Sequence, residues 1–469
     1  MARKAKIAAT LGPASDATQA MAQLVRSGLD VARLNFSHGS PDEHAARVER
    51  LRLVARAAER IVGVMADLQG PRFRVGTLPG GSLTLADDAV VELVAGRKRA
   101  PHGALPVSHA ALARDVKQRQ AILIDDGRIR LQVERVRDDR VRCRVVRGGK
   151  VAERKGINLP GTDLSVPTIT PKDRRDLETA VEIGADWLAV SFVRSARDVR
   201  QARRLLAKAG STMPVMAKIE RPEAIDRLDE ILDAADGVLV ARGDLGVELA
   251  PEDVPILQKQ IIEAANAAGK PVVTATQMLD SMRHSAQPTR AEASDVANAV
   301  LDGSGCLLLT AETAVGEYPV EAVRMMARII ERAENAGRTR VEDGPHANLS
   351  IAVATAHAGC RAAAEVGARY LVAFTSSGST AFHVSRFRPI TPLVACTTRF
   401  EIARRMTLLW GVTPVVVERR ANFEGLVETV DDNLRRAGLA EAGDVVVLIA
   451  GAPVGMPGTT NAIKVHRLG

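Results

Sequence analysis

The sequence predicts an α/β protein: a (β/α)8 barrel of TIM type, interrupted by an inserted β-barrel domain and followed by a separate C-terminal α/β domain. Three observations predict it. Eight short β-rich apolar runs alternate with amphipathic stretches, the alternation breaks once for a glycine-punctuated region, and a fresh α/β pattern begins after about residue 340. The eight runs are 6–10, 31–35, 62–67, 187–192, 215–220, 238–244, 272–276 and 307–312. Segments such as 176–183 and 255–268 carry apolar residues at helical spacing between them, so the strands are parallel and eight such units close as a barrel. The break follows the turn signal Gly70-Pro71 and ends near Pro167, with alternating strands at 121–124, 129–136 and 140–146. Beyond a polar stretch at 338–348 come a helix at 351–364, a strand at 370–375, a helix from Ala381, and strands at 393–396, 415–417 and 445–450. The expected division is therefore 1–69 and 168–340 for the barrel, 70–167 for the insertion and 341–469 for the C-terminal domain.

Composition narrows the function. At 469 residues and 46% hydrophobic content the chain can build two or three cores. No apolar run nears the roughly 20 residues of a membrane span, and the basic start at 4–6 leads into an apolar run too short for a signal segment. A cytoplasmic protein without membrane contact is expected. Cys143, Cys306, Cys360 and Cys396 have no pairwise metal spacing, so neither a zinc site nor a disulfide framework is implied. The net charge of +8 is spread among acids rather than gathered in a stripe, which argues against nucleic acid and suits phosphorylated small molecules. Only 12 of the 64 basic residues are lysines, so a lysine at a strand end is more informative than an arginine.

In a parallel barrel, chemistry gathers where strands end at the C-terminal rim. Here strand two ends in Arg33-Leu34-Asn35-Phe36-Ser37-His38, strand three in Asp67, strand five in Lys218-Ile219-Glu220 and strand six in Arg242-Gly243-Asp244. Strand seven ends in Thr276-Gln277 and strand eight in Thr310-Ala311-Glu312-Thr313. One such group alone is an ordinary cap or ion pair; six strands delivering polar groups to one rim call for a charged ligand or metal. Glu220 and Asp244, on neighbouring strands, offer hard oxygen ligands for Mg2+. Lys218 lies two residues before Glu220 and shares its side of the strand, and Arg33 faces it across the barrel, so a phosphoryl group and a developing enolate would meet a positive cradle. Thr375-Ser376-Ser377-Gly378-Ser379-Thr380, between a strand and a helix, is a second phosphate-suited loop.

The segments 9–15 (ATLGPAS), 31–39 (VARLNFSHG), 216–220 (MAKIE), 236–246 (DGVLVARGDLG), 269–278 (GKPVVTATQM) and 288–303 (PTRAEASDVANAVLDG) resemble those of the pyruvate kinase family. The resemblance implies transfer of a phosphoryl group from phosphoenolpyruvate to ADP, giving pyruvate and ATP, with Mg2+ and with Mn2+ as a substitute. It makes Lys218 the transition-state stabiliser, Glu220 and Asp244 the Mg2+ ligands, and Arg33 the phosphate arginine; Gly243, Asp244 and Thr276 hold substrate. Arg74, Lys155, Asn35 and His38 become nucleotide contacts, the insertion a lid, and 375–380 the phosphate loop of an allosteric activator in a homotetramer. An Mg2+-dependent aldolase of the same barrel type is the alternative, lacking the lid motif at 155–160.

Two departures from the common family pattern shape the expectations. Asp67-Leu68-Gln69-Gly70-Pro71-Arg72 replaces Asp-Thr-Lys-Gly-Pro-Glu, so the monovalent-cation site of Asn35, Ser37 and Asp67 loses an oxygen ligand and gains Arg72 as a resident cation; K+ is not expected to be required. Pro453 and Val454 stand where members activated by sugar bisphosphates carry Trp and Arg, so a monophosphate activator is expected.

Overall fold

All eight apolar runs form strands that are buried along nearly their whole length, the pattern of parallel strands covered on both faces. They are Lys6–Thr10, Val31–Asn35, Gly63–Asp67, Trp187–Val190, Val215–Ile219, Gly237–Ala241, Val272–Ala275 and Cys306–Leu309. Each pairs in parallel with its neighbours in chain order, and Ile7 opposite Leu307 closes the barrel between the first and last. The interior is filled by Ala8, Val31, Met65, Trp187, Met216, Leu239, Val273 and Cys306. The computed structural model describes residues 3–99, 101, 103–336, 349–420, 423–436, 440–453 and 459–469. The polar stretch at 338–348, the boundary expected at 340 and Val454 fall outside the described residues.

Several strands stop earlier than expected at the rim. The sixth ends at Ala241, and 242–248 forms a short helix, so Asp244 sits in a helical first turn rather than on a strand. The fourth and seventh end where Phe192, Thr276 and Gln277 take φ of 57°, 74° and 53°. Turning out of the sheet lets main chain and side chain approach the barrel axis, which an extended strand would not allow.

Local sequence explains the helix starts. Ser40 Oγ accepts from Glu43 N at 3.3 Å while Glu43 Oε2 accepts from Ser40 N at 2.7 Å, and the pairs Thr170/Asp173 and Thr289/Glu292 repeat this reciprocal cap. Each such cap contributes about 1 kcal/mol. The second does more, because Asp173 Oδ1 also accepts from Gly70 N at 3.0 Å, tying a barrel helix to the entrance of the insertion. Gly70 needs φ of +69°, and a Cβ there would meet the Phe192 ring at 2.7 Å.

The insertion forms a seven-stranded sheet in the order Phe73–Arg74, Gly156–Asn158, Ala121–Ile124, Ile129–Arg137, Arg140–Arg147, Val90–Ala95 and Leu105–Val107. An antiparallel bridge between Val75 and Val107 joins its two ends, and a two-stranded ribbon of Ser82–Leu85 and Gly149–Ala152 lies apart. The three long strands were legible; pieces of two to four residues carry no readable period.

The C-terminal sheet runs Val412–Val416, Leu393–Thr397, Tyr370–Phe374, Val445–Gly451, Thr460–Arg467, the last antiparallel. Expectation missed that final strand, and placed the edge strand three residues late because Pro414 lies inside it, as an edge position permits. This sheet docks at the end of the barrel opposite the polar rim: Trp187 Nε1 donates to Arg405 O at 3.0 Å, Lys6 Nζ donates to Val412 O at 2.7 Å, and Asp186 takes both Arg52 and Arg404 at 2.9 Å. Among the described residues no helix is long and apolar enough to cross a membrane.

Candidate active site

At the rim, two cations and two carboxylates from three strands interlock. Arg33 Nε meets Asp67 Oδ2 at 2.7 Å and its Nη1 donates to Thr10 Oγ1 at 2.9 Å. Lys218 Nζ lies 3.2 Å from Asp67 Oδ1, 2.8 Å from Glu220 Oε1 and donates to Ser191 Oγ at 2.7 Å. All four charged groups are buried. Burial works to lower the Lys218 pKa, but the Asp67 and Glu220 carboxylates outweigh it and hold the ammonium above its ordinary value. Burial likewise works to raise Asp67, and Lys218 with Arg33 keeps it below the usual carboxylate range. For Glu220 burial prevails, and with the Asp244 charge it pushes the carboxyl up against the pull of Lys218.

The sequence reading counted six contributing strands. The remaining two also contribute: the first supplies Thr10 and the loop after the fourth supplies Ser191, neither of which was singled out. A hydroxyl one residue past the buried run 187–190 is the signal that was available for Ser191. Other expected groups face elsewhere. Glu312 is turned into the protein, accepting from Thr310 N at 2.7 Å and Leu279 N at 3.1 Å, and serves the local backbone. Arg242 clamps the main chain of strand seven through Thr276 O at 2.6 Å and pairs with Asp295 at 2.6 Å.

Thr276 and the start of the 242–248 helix meet directly, Gly243 N donating to Thr276 Oγ1 at 2.7 Å. A β-branched residue at φ of 74° is an uncommon conformation, held here by the Arg242 clamp. Around these groups opens a cavity of about 330 Å3 lined by Arg33, Asn35, His38, Asp67, Lys218 and Thr276. A second cleft of about 240 Å3 between barrel and insertion is lined by Arg74, Asp125, Lys155 and Asn158. Arg72 and Asp244 line both spaces, so the two are contiguous. Lys155 is held by Asp125 at 2.8 Å, Arg74 donates to Arg154 O at 2.9 Å, and Ser37 N donates to Asn35 Oδ1 at 3.1 Å. His38, at the mouth, is kept below the ordinary imidazole value by partial burial and by Arg72, Arg74 and Arg33.

The donor set suits a hard divalent cation. Glu220 Oε2 accepts from Phe192 N at 2.7 Å, and Oε1 is paired with the Lys218 ammonium at 2.8 Å. The Asp244 carboxylate has no hydrogen bond or ion pair among the described residues. The Asp244 carboxylate, open to both spaces, and the Glu220 carboxylate buried beside Lys218 are hard oxygen donors of the kind that suits Mg2+, which commonly takes one or two carboxylates and completes its shell with substrate oxygens and water. Among the described residues no group of three His, Cys, Asp or Glu is placed to cage a metal by itself.

In the C-terminal domain a cavity of about 730 Å3 is lined by Thr375, Ser376, Ser379 and Thr380, with Arg419 and Arg420 at its edge. Gly378, at φ of 94°, donates its N–H to Thr375 Oγ1 at 2.8 Å, and Thr380 Oγ1 pairs with Thr460 Oγ1 at 2.8 Å. Ser377 is exposed and bonds Ser379 Oγ at 3.1 Å. The two arginines were not singled out from sequence, where 52 arginines dilute the meaning of any one.

Comparison with known proteins matches residues 2–323 to the family model described as pyruvate kinase, barrel domain, and residues 353–466 to pyruvate kinase, alpha/beta domain. The chain belongs to the pyruvate kinase family. Proteins named pyruvate kinase from Mycobacterium tuberculosis and Agrobacterium vitis are 43% and 44% identical to it, each match covering 100% of this chain and 99% of the relative. A crystal structure of a pyruvate kinase from Cryptosporidium parvum, 34% identical, superposes with a TM-score of 0.93 over 100% of this chain and 96% of that one. As a pyruvate kinase family member the chain is a phosphotransferase, and the aldolase alternative is not favoured.

Asp67 is the one carboxylate shared by both buried cations, so Asp67→Asn should destabilise the fold by about 3–5 kcal/mol at neutral pH. Its folded pKa is depressed, so its contribution is present above the ordinary carboxylate pKa and lost as pH falls through the folded value. Urea unfolding from neutral to acidic pH should therefore show the variant and the unmutated protein converging at low pH; a constant gap across that range would contradict the assignment.

Proposed function

We propose that the chain moves the phosphoryl group of phosphoenolpyruvate to ADP, giving pyruvate and ATP through the enol form of pyruvate, as a cytoplasmic homotetramer. The observation that carries the reading is Lys218, a buried ammonium at the rim cavity flanked by Glu220 and the Asp67–Arg33 pair. Arg33 and Lys218 hold the phosphoryl group, and Lys218 neutralises the charge that grows on the enolate oxygen as the bond to phosphorus breaks. Glu220 and Asp244 would hold Mg2+, with Mn2+ as a substitute, and the metal supplies charge neutralisation on substrate oxygens. The main chain at 241–243 and the Thr276 hydroxyl orient the substrate carboxylate, and Thr276 flanks the face on which carbon 3 takes its proton. Arg74, Lys155, Asn35 and His38 bind the nucleotide phosphates. Closure of the insertion over the two contiguous spaces excludes water, which protects the transferring group from hydrolysis.

Because Lys218 acts chiefly on charge that develops in the transition state, Lys218→Met should lower kcat by about a thousandfold or more with little change in phosphoenolpyruvate affinity. Stopped-time assay of pyruvate together with binding measurements on the folded variant decides the point, and near-normal turnover overturns the role.

Activity does not depend on K+. The ligand set expected for a monovalent ion is already engaged: Asp67 by Arg33 and Lys218, and Asn35 Oδ1 by Ser37 N. Leu68 is buried and brings no side-chain oxygen, while Arg72 lines the same cavity. A guanidinium and a K+ ion about 4 Å apart would repel by roughly 4 kcal/mol at an effective dielectric of 20. Rates in potassium-free buffer with a bulky organic cation should match those in KCl, and Arg72→Glu should create a K+ requirement; strong K+ stimulation of the unmutated enzyme refutes the reading.

An activator carrying one phosphate binds at 375–380, its remaining polar groups facing Arg419 and Arg420 across the cavity. A panel of phosphorylated metabolites should show activation by a sugar monophosphate or AMP. Activation by fructose bisphosphate alone would overturn this.

A further inference from the structure

Between the barrel end opposite the polar rim and the C-terminal domain lies a narrow cleft lined by Asn266, Lys270, Gly305, Arg386, Arg388 and Trp410, away from the cavities described above. Its free volume is about 30 Å3, room for one or two water-sized particles and too little for an organic ligand. Arg388 is fully buried and has φ of 44°. One guanidinium nitrogen, Nη2, donates to Gly303 O and to Asn266 Oδ1. The other, Nη1, is buried with no hydrogen-bond partner.

The surroundings make that cation harder to keep. Arg386 and Lys270 line the same cleft, and Lys4 stands 5.1 Å from the Trp410 ring, whose face Arg388 also approaches at 5.2 Å. Among the described residues no carboxylate lies within ion-pair distance of Arg388. Glu334, the one acid among the described residues that acts on it, is engaged by the N–H groups of Lys4 and Ala5. Burial accordingly lowers the Arg388 pKa to about 10. Ring contact is a weak substitute for a counter-ion, and an uncompensated buried charge is strongly unfavourable.

We propose that this cleft is an anion site, in which Arg388 Nη1 binds a compact monovalent inorganic ion of chloride size and so fastens the C-terminal domain to the barrel. Arg388 follows directly from the helix Ser379–Ser385, whose other end is the 375–380 loop, so the bound ion anchors the element that carries that loop. Water could fill the volume but would leave the charge unpaired.

The test uses the full chain. In bromide-soaked crystals an anomalous peak should appear within hydrogen-bonding reach of Arg388 Nη1. At fixed ionic strength, replacing gluconate by chloride should raise the thermal midpoint saturably, on the order of 2 °C. Arg388→Met should abolish that increment. So should Gly305→Ala, because a Cβ on Gly305 meets only ordinary contacts, Val272 O at 3.5 Å and Trp410 Cβ at 3.8 Å, yet occupies the cleft. If Arg388→Met does not fold, Gly305→Ala and the bromide peak decide. Water alone at the site in bromide, or an equal chloride increment in the unmutated and Gly305→Ala proteins, overturns the proposal.

Discussion

The buried square of Arg33, Asp67, Lys218 and Glu220 is the constraint on which the rest of this molecule depends. Four charges away from water are tolerable only when each is answered by another, and here the strands beneath them fix the spacing. The rim cavity opens directly on Arg33, Asp67 and Lys218, so groups that hold this end of the barrel together also line its opening.

Holding them requires backbone that regular structure would not supply. Phe192 and Thr276, just past their strands, have positive φ, the first donating its N–H to Glu220 and the second accepting from Gly243 N through its hydroxyl. Arg242 and Asp295 hold the Thr276 turn, while Gly70 passes close over Phe192 and is tied to the Asp173 cap. The insertion is therefore attached to the barrel at the point where the rim backbone is least relaxed. A further link joins Asn158 of the insertion to Glu248 at 3.4 Å, at the far end of the short helix that carries Asp244. The insertion thus contacts, through Glu248, the helix whose Asp244 carboxylate faces both spaces.

The C-terminal domain grips the opposite end of the barrel by polar contacts to strand beginnings, leaving the catalytic rim free.

The eight-strand barrel and the break in it are legible in the residues alone, because short-range patterns encode them: fully apolar runs, caps such as Thr289/Glu292, and polar residues such as Lys218, Glu220 and Asp244 where those runs stop. Ser191, Thr10, the inward turn of Glu312 and the arginines at 419 and 420 became meaningful only in three dimensions. So did the fragmentary strands of the insertion and the edge strand through Pro414. Periodicity reports which face of a segment is buried; it carries nothing about which distant atom a hydroxyl or carboxylate will meet. Those meetings are decided by barrel closure and domain docking, which bring together residues as far apart in the chain as Thr10 and Leu309, or Lys6 and Val412, and set whether each buried charge is paired or left waiting for a ligand.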